Sequence, residues 1–240
     1  KGNTKAVLTV EKVGKVDLPA PDIFFGNDKM EVTDTDIYKS DQVFTRGQMI
    51  TVTGIDNLNE WWIDPDFFEK QSDGTLKFLP INGDYRVTAN GILKYFSVIA
   101  LKDGKPAKLQ DDGTGAIWAI GKGIGKPSVT SSEVGWETGK ALCLAQVAPK
   151  KYQLTLKAGE TLKTSGDWEA ISFKFFYQND WGGEFSNYAS NTLVEQLKLT
   201  GSGNLEMQDN KAFEEGGVYR FTIDVTNGNA NAILKVEKIN

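Results

Sequence analysis

Six aromatic side chains lie within thirteen positions in the stretch FKFFYQNDWGGEF, residues 173–185, which ends in a polar turn with two glycines. Exposed aromatic rings are typical of binding surfaces, because water solvates them poorly. A pyranose ring presents a flat patch of C–H groups that stacks on an indole, and its hydroxyls pair with short polar side chains. This stretch therefore predicts a carbohydrate-binding site that includes Trp181 and Asn179.

Three further residues complete this predicted site. Lys174 and Phe176 fall on the outward face of the alternating strand 171–178, beside the turn. Trp136, in the loop SSEVGWETGK, is a second candidate platform that only folding could bring near. In the alternative interpretation both tryptophans cap the ends of a sandwich, Lys174 is a solvated lysine, and Asn179 is a turn-forming residue.

A weaker site is predicted in the first half of the chain, at Trp61, Trp62 and Lys94. Adjacent residues of a strand face opposite ways, so at least one of the two tryptophans is expected in the core. Lys94 occupies the place of Lys174 if the two halves repeat, but no equivalent of the NDW turn follows it.

Several kinds of chemistry are excluded by composition. The chain has no histidine, which removes Ser-His-Asp and Cys-His catalysis and every histidine-based metal site. A net charge of −5 with a pI near 5.0 and scattered lysines gives no footprint for nucleic acid. Cys143 lies in the apolar run ALCLAQV and is expected to be a buried, unreactive thiol. No cofactor and no metal site are predicted.

Two short motifs are interpreted as turns. GKGIGK, residues 121–126, lacks the spacing of a P-loop, and Pro127 follows its last lysine. NDKMEVTDTD, residues 27–36, carries oxygen ligands but neither the spacing nor the glycine of an EF-hand loop. Glycoside hydrolysis without histidine would need two nearby carboxylates. The candidates are Asp64, Asp66, Glu133, Glu137, Asp180 and Glu184.

Strand periodicity dominates the chain. YQLTLKAG at 152–159 and YRFTIDV at 219–225 alternate apolar and polar residues, and Asn90-Gly91 marks a hairpin. Helical patterns are confined to 58–70, interrupted by Pro65, and to 189–199. The sequence predicts an all-β protein of tandem immunoglobulin-like or carbohydrate-binding-type β-sandwiches, with antiparallel sheets and little helix.

A weak internal repeat supports two modules, 1–113 and 114–240, with the polar segment 102–115 as the boundary. In both halves a strand, a turn with Trp, an apolar segment and an aromatic strand follow in order. The polar start KGNTKAVLTVEKV and the lack of a long apolar run indicate a soluble chain or one trimmed of its targeting segment.

The order IWAIG, GW, ISFKFFYQNDWGG, GNLEM and GGVYRFTIDVTNGNANAILKV, across about 114–240, resembles the carbohydrate-binding modules of SusE/SusF-type outer-membrane lipoproteins of the Bacteroides group. The resemblance implies β-sandwiches that bind glycans at the cell surface beside an outer-membrane transporter, without hydrolysis. It places the aromatic platform on Trp136 and Trp181 and the strand lysine on Lys174. Residues 1–113 fit poorly, and the family's lipidated N-terminal cysteine is absent from this chain.

The expected function is therefore non-catalytic binding of a polysaccharide or oligosaccharide through aromatic platforms, by a monomer without nucleic-acid partners. Surface location and membrane attachment through a lipid anchor are implied by the resemblance alone. Two alternatives stay open. A structural or adhesive sandwich would have all its aromatics in the core, and a hydrolase would have a deep cleft with a raised carboxyl pKa.

Overall fold

The computed structural model describes Thr9, residues 21–166 and residues 170–240. Apart from Thr9, the polar start at residues 1–13 lies outside these ranges. The described chain is nearly all β-structure in sheets whose strand pairs are antiparallel with one exception, as predicted from the strand periodicity. Its helices there are one short α-helix, α1 (Val129–Ser132), and three 3₁₀ turns at Leu58–Glu60, Thr138–Lys140 and Asn229–Asn231.

The first half contains eleven strands that form three sheets. They are β1 (Phe24–Phe25), β2 (Asp28–Lys29), β3 (Glu31–Asp34), β4 (Ile37–Phe44), β5 (Met49–Ile50), β6 (Val52–Thr53), β7 (Phe68–Lys70), β8 (Leu76–Phe78), β9 (Gly83–Asn90), β10 (Tyr95–Lys102) and β11 (Lys105–Pro106). The largest sheet has the order β11-β10-β9-β4-β3, and the smaller sheets are β2-β1-β6 and β5-β8-β7. Asn90-Gly91 connects β9 to β10, so the predicted hairpin is confirmed.

The second half contains eleven further strands in two sheets. They are β12 (Trp118–Gly125), β13 (Glu133–Gly135), β14 (Leu142–Cys143), β15 (Ala145–Ala148), β16 (Lys151–Lys157), β17 (Ser172–Phe176), β18 (Ser190–Thr192), β19 (Leu197–Leu199), β20 (Leu205–Met207), β21 (Val218–Asp224) and β22 (Ile233–Lys238). One sheet has the order β13-β12-β17-β20-β19, with β14 also on β12, and the other has the order β15-β16-β21-β22-β18.

These two sheets pack face to face as a sandwich. Phe173 and Phe175 of one sheet contact Phe221 of the other, with ring centroids 5.5 and 6.4 Å apart. All three rings are fully buried. Successive side chains of a strand point to opposite faces of its sheet, so each strand buries every second side chain. The apolar side chains on the two inner faces together form the core.

Three local predictions are wrong. NDKMEVTDTD, interpreted as a turn, consists mainly of the strands β2 and β3. Residues 121–125 of GKGIGK belong to the strand β12 and not to a turn, because the glycines allow neighbouring backbone to approach closely. A Cβ on Gly121 would lie 2.4 Å from the Ser172 carbonyl oxygen, and one on Gly125 would lie 2.4 Å from the Ser132 carbonyl oxygen. Likewise the helical pattern at 189–199 forms the short strands β18 and β19, and 58–70 is helical only in its first turn.

The internal repeat does not extend to strand pairing. In the first half β10 pairs with β9, whereas the corresponding aromatic strand β17 pairs with β12 and β20. Lys94 lies in the hairpin turn with φ 49°, whereas Lys174 is in the middle of β17. Lys94 is therefore not the structural counterpart of Lys174.

Candidate functional site

The topology of one sheet places the two loop tryptophans together. Strand β12 has β13 on one side and β17 on the other, and both are antiparallel to it. β13 and β17 therefore run in the same direction and end at the same end of the sheet. Trp136 follows β13 directly, and Trp181 lies in the turn after β17, so the fold brings together residues 45 positions apart.

The indoles of Trp136 and Trp181 are stacked, with centroids 6.3 Å apart and an angle of 26° between their planes. This centroid distance and small interplanar angle are typical of offset stacking and not of rings directly face to face. Trp136 is half-buried and packs against the core, whereas Trp181 is 52% exposed. The pair forms a stepped aromatic surface longer than one indole, which we call the platform.

The turn that carries Trp181 is held by its own polar groups. The Gln178 side-chain amide donates to the Trp181 carbonyl at 2.7 Å, and the Trp181 N–H donates to the Asp180 carboxylate at 2.8 Å. Gly182 and Gly183 have φ of 82° and 72°, a left-handed backbone that most other residues would strain. The backbone of the platform is therefore fixed without using the Trp181 ring.

Phe176 is buried, so its predicted role as an exposed binding residue is wrong. It pairs across the sheet with Trp118, and its ring meets that of Trp181 edge to face, with centroids 6.0 Å apart. The loop folds back over this position, since Phe185 N–H donates to the Phe175 carbonyl. Phe176 supports the platform from below.

Lys174 and Asn179 flank the platform and are half-buried. Lys174 lies on the same face of β17 as Phe176, about 7 Å along the strand. Within the described ranges, neither side chain has a hydrogen-bond or ion-pair partner. Both polar groups are therefore available to a polar ligand.

The predicted first-half site does not form a comparable surface. Trp61 is half-buried and stacked on Phe96, with centroids 4.5 Å apart and planes 17° apart. The Trp62 Nε1–H donates to the Glu160 carboxylate at 2.7 Å, which joins the two halves of the chain. Lys94 is half-exposed and paired with Glu60. These residues contribute to packing and to the junction between the halves.

A buried charge cluster, which sequence reasoning missed, lies at this junction. Lys126 Nζ donates to both carboxylate oxygens of Asp64 at 2.9 and 2.7 Å and to Asp66 at 3.2 Å. Asp66 also accepts from Gln153 and from Thr155. All three charged side chains are at most 7% exposed. We call this the junction cluster.

The charge states of the junction cluster follow from its contacts. Burial would raise the pKa of Asp66, but Lys126 and the hydrogen bonds from Gln153 and Thr155 hold that pKa below its usual range. Burial raises the pKa of Asp64 against the opposing attraction of Lys126. Burial would lower the pKa of Lys126, yet the two carboxylates raise it. Lys126 is thus charged and fully engaged.

A cleft of about 560 Å³ opens beside the junction cluster. Asp64 and Glu133 are the two carboxylates that line it. Burial would raise the pKa of Glu133, but the Lys163 ammonium and the Gly123 N–H lower it. Asp66 does not line this cleft. The other carboxylates weighed for hydrolysis lie elsewhere: Glu137 pairs with Lys140, and Asp180 and Glu184 belong to the platform loop.

Two comparisons with known families cover most of the chain. Residues 13–109 match the family model described as Domain of unknown function (DUF5125), and residues 112–226 match that described as Domain of unknown function (DUF5121). The two ranges meet within the polar segment 102–115. No curated protein matches the chain.

Two searches of the described residues concern membranes and metals. No helix there has the length and apolar character required to cross a membrane. Between residues 21 and 240, apart from 167–169, no three acidic or cysteine side chains converge to hold a metal ion.

Proposed function

We propose that this protein binds a polysaccharide or oligosaccharide without hydrolysing it, through the platform of Trp136 and Trp181. The observation that carries the proposal is the stacked pair itself, with one indole 52% exposed on a fixed turn. An exposed indole contributes little to the stability of its own fold. A ligand that covers it removes its apolar surface from water, which favours binding. Its flat face suits the C–H face of a sugar ring.

The polar surroundings suit sugar hydroxyls. Lys174 supplies N–H donors and Asn179 supplies both a donor and an acceptor, and neither is engaged within the described chain. Two stacked rings at about 0.5–1.5 kcal/mol each, with a few hydrogen bonds at about 1 kcal/mol, correspond to dissociation constants of roughly 10–1000 μM. Weak binding of this kind serves a repetitive polymer, which offers many equivalent sites.

The test is isothermal titration of the full chain with a panel of neutral soluble polysaccharides and oligosaccharides. We expect saturable binding to at least one glycan, abolished by Trp181→Ala and strongly weakened by Trp136→Ala. Val43→Ala is the matched control, because Val43 is 69% exposed on β4 of the first half. It should bind as the parent does.

Thermal unfolding of each variant separates loss of a site from loss of the fold. If no glycan binds, and Trp136→Ala and Trp181→Ala both unfold far below the parent, the rings serve the core. The protein would then be a structural or adhesive sandwich, and the glycan-binding proposal would be wrong.

A glycoside hydrolase is the second candidate, favoured by one observation. Asp64 and Glu133 line one cleft with pKa shifts in opposite directions, the pattern of an acid and a base. Against it, both oxygens of Asp64 accept from Lys126. Glu133 is likewise bound to Gly123 and Lys163.

We expect no release of reducing ends from any glycan that binds. Release that disappears in Glu133→Gln would establish the hydrolase instead.

Location and partners follow from the same proposal. The resemblance of residues 114–240 to SusE/SusF-type modules favours a protein held at the bacterial outer surface, where it delivers glycan to a transporter. Protease accessibility on intact cells, compared with lysed cells, tests the location. Co-purification with an outer-membrane transporter from detergent extracts tests the partner.

A further inference from the structure

A further cleft, of about 340 Å³, is lined by Trp62 and is separate from the larger cleft beside the junction cluster. Trp62 comes from the first half, and the remaining walls come mainly from the second half. We call it the Arg220 cleft. Its principal lining residues are Trp62, Gln153, Lys157, Glu160, Arg220 and Ile239.

Arg220 is the unusual group in this cleft. It is half-buried on β21, and its Nε is buried without a hydrogen-bond partner. Within the described ranges, the Arg220 guanidinium forms no ion pair. An unpaired buried donor costs free energy, which is recovered when water, an ion or a ligand pairs with it.

The acidic neighbours of Arg220 are already engaged. Glu160 accepts from Lys157 at 2.9 Å through one oxygen and from Trp62 at 2.7 Å through the other. Glu237, opposite Arg220 on β22, accepts from Lys235. Asp66 is bound within the junction cluster. Within the described ranges, none of these three carboxylates forms an ion pair with Arg220.

The charge and shape of the cleft favour an anionic ring. Its charged lining residues are Lys157 and Arg220 against Glu160, so it is locally positive on a chain of net charge −5. Trp62 offers an aromatic wall, and Ile239, 40% exposed, offers an apolar one. A guanidinium pairs with a carboxylate through two parallel hydrogen bonds, which fixes the orientation of that carboxylate.

We infer that the Arg220 cleft binds a carboxylate-bearing sugar, a uronic acid residue, with its carboxylate on the Arg220 guanidinium and its ring against Trp62. The sugar class extends the glycan-binding function proposed above, but the site is separate from the platform. A glycan with both neutral and acidic residues would thus be bound at two places.

The experiment titrates the full chain with sodium glucuronate, a galacturonate trisaccharide and the methyl ester of that trisaccharide, at low ionic strength. We expect at least one acidic sugar to bind and the ester to bind more weakly. Arg220→Gln should weaken binding of the acid about ten- to a hundredfold. Arg220→Lys should restore only part of it, because an ammonium lacks the planar fork.

Arg86→Gln is the matched control, since it removes the same charge from an arginine already paired with Asp41. It should leave binding unchanged. The melting temperature of Arg220→Gln should stay within about 2 °C of the parent, because the Arg220 guanidinium has no partner to lose. Equal affinity for acid and ester, no binding of either acidic sugar, or unchanged binding in Arg220→Gln would each overturn the inference.

Trp181→Ala separates the two proposals. It should abolish binding of the neutral glycan at the platform and leave uronate binding intact. Neutral binding without uronate binding would refute the Arg220 inference alone. Arg220-dependent uronate binding without any neutral binding would refute the platform alone.

Discussion

Trp62 and Trp181 are the same residue type beside similar aromatic and acidic neighbours, but the fold uses them differently. The Nε1–H of Trp62 is bonded to Glu160, and Lys126 Nζ lies 5.9 Å from its ring centroid. Trp181 is 52% exposed, and its Nε1–H has no partner within the described chain. The junction pairs the polar tip of its indole and places Lys126 over the ring, which still lines the Arg220 cleft, whereas the platform leaves the polar tip of Trp181 unpaired within the described chain.

The comparison shows that a tryptophan's role depends on what the neighbouring strands bring to it. Around Trp62, the second half of the chain supplies a carboxylate, from Glu160, and an ammonium, from Lys126. Around Trp181, one sheet supplies a second indole and a buried Phe176 support. Changes at the junction should therefore cost stability, and changes at the platform should cost binding.

The largest expected effect concerns Cys143, which lines the cleft beside the junction cluster. Burial raises the pKa of this thiol to about 12. Its thiolate fraction at pH 8 should be about a thousandfold below that of a free thiol, and modification by iodoacetamide correspondingly slow. The rate should rise about tenfold per pH unit until the fold is lost.

Rapid alkylation of Cys143 in the folded protein at pH 8 would contradict this and indicate that the junction opens. Mass spectrometry of the intact chain, with and without denaturant, gives the two rates.

Replacement of Lys126 should destabilise the fold, because it removes the only cation of the junction cluster. Lys126→Met leaves two buried carboxylates without their counter-ion, and we expect a loss of about 3–5 kcal/mol in the free energy of unfolding. Urea unfolding gives the value. Lys140→Met is the control, because its pair with Glu137 lies at the surface. A loss for Lys126→Met no larger than the control's would mean that the junction cluster contributes nothing to stability.

Truncation of Trp61 and of Trp181 should give different losses of stability. Trp61→Ala removes a ring stacked on Phe96 and should cost about 2–3 kcal/mol of stability, below the range for fully buried rings. Trp181→Ala should cost less than about 1 kcal/mol. Urea unfolding of both variants measures the two losses in the free energy of unfolding. Equal losses would show that Trp61 and Trp181 contribute equally to stability.

The phenylalanines beneath these indoles extend the same test. Phe96→Leu and Phe176→Leu should each destabilise the fold by about 1 kcal/mol, because volume is nearly kept. Only Phe176→Leu should also weaken glycan binding, by about two- to fivefold, because Trp181 rests on its ring. Equal affinities in both variants would show that Phe176 does not position the platform.

The last comparison concerns the two lysines that the sequence aligns, neither of which should affect stability. Lys174→Ala should weaken glycan binding about three- to tenfold by removing one hydrogen-bonding group. Lys94→Ala should change neither binding nor the melting temperature measurably, because it loses only a surface ion pair. Titration and thermal melts of both variants provide the comparison, and a larger binding effect at Lys94 would reverse the assignment of the site.

Much of the secondary structure follows from local pattern. The alternation at 152–159 and 219–225 appears as β16 and β21, which pair with each other. The prediction at 121–126 failed because glycine signals both a turn and a close approach of backbones. Only the distance from Gly121 to the Ser172 carbonyl oxygen distinguishes these two cases.

Site prediction from the sequence was limited in the same way. The polar turn after β17 placed Trp181 at the surface, because aromatic alternation ends there. Phe176 also occupies an outward position of β17, yet the returning loop covers it. Lys126 and Arg220 carried no local signal, since a lysine after glycines and an arginine in an alternating strand are usually solvated.

The sequence by itself determined the all-β class, the turn that carries Trp181, and the exclusion of histidine chemistry. These depend on residue type and on the period-two pattern, which act within a few positions. Only the tertiary structure decided that Trp136 meets Trp181, that Lys126 is buried between Asp64 and Asp66, and that Arg220 is left unpaired. Such contacts join residues tens of positions apart, and their partners are chosen by how whole sheets pack.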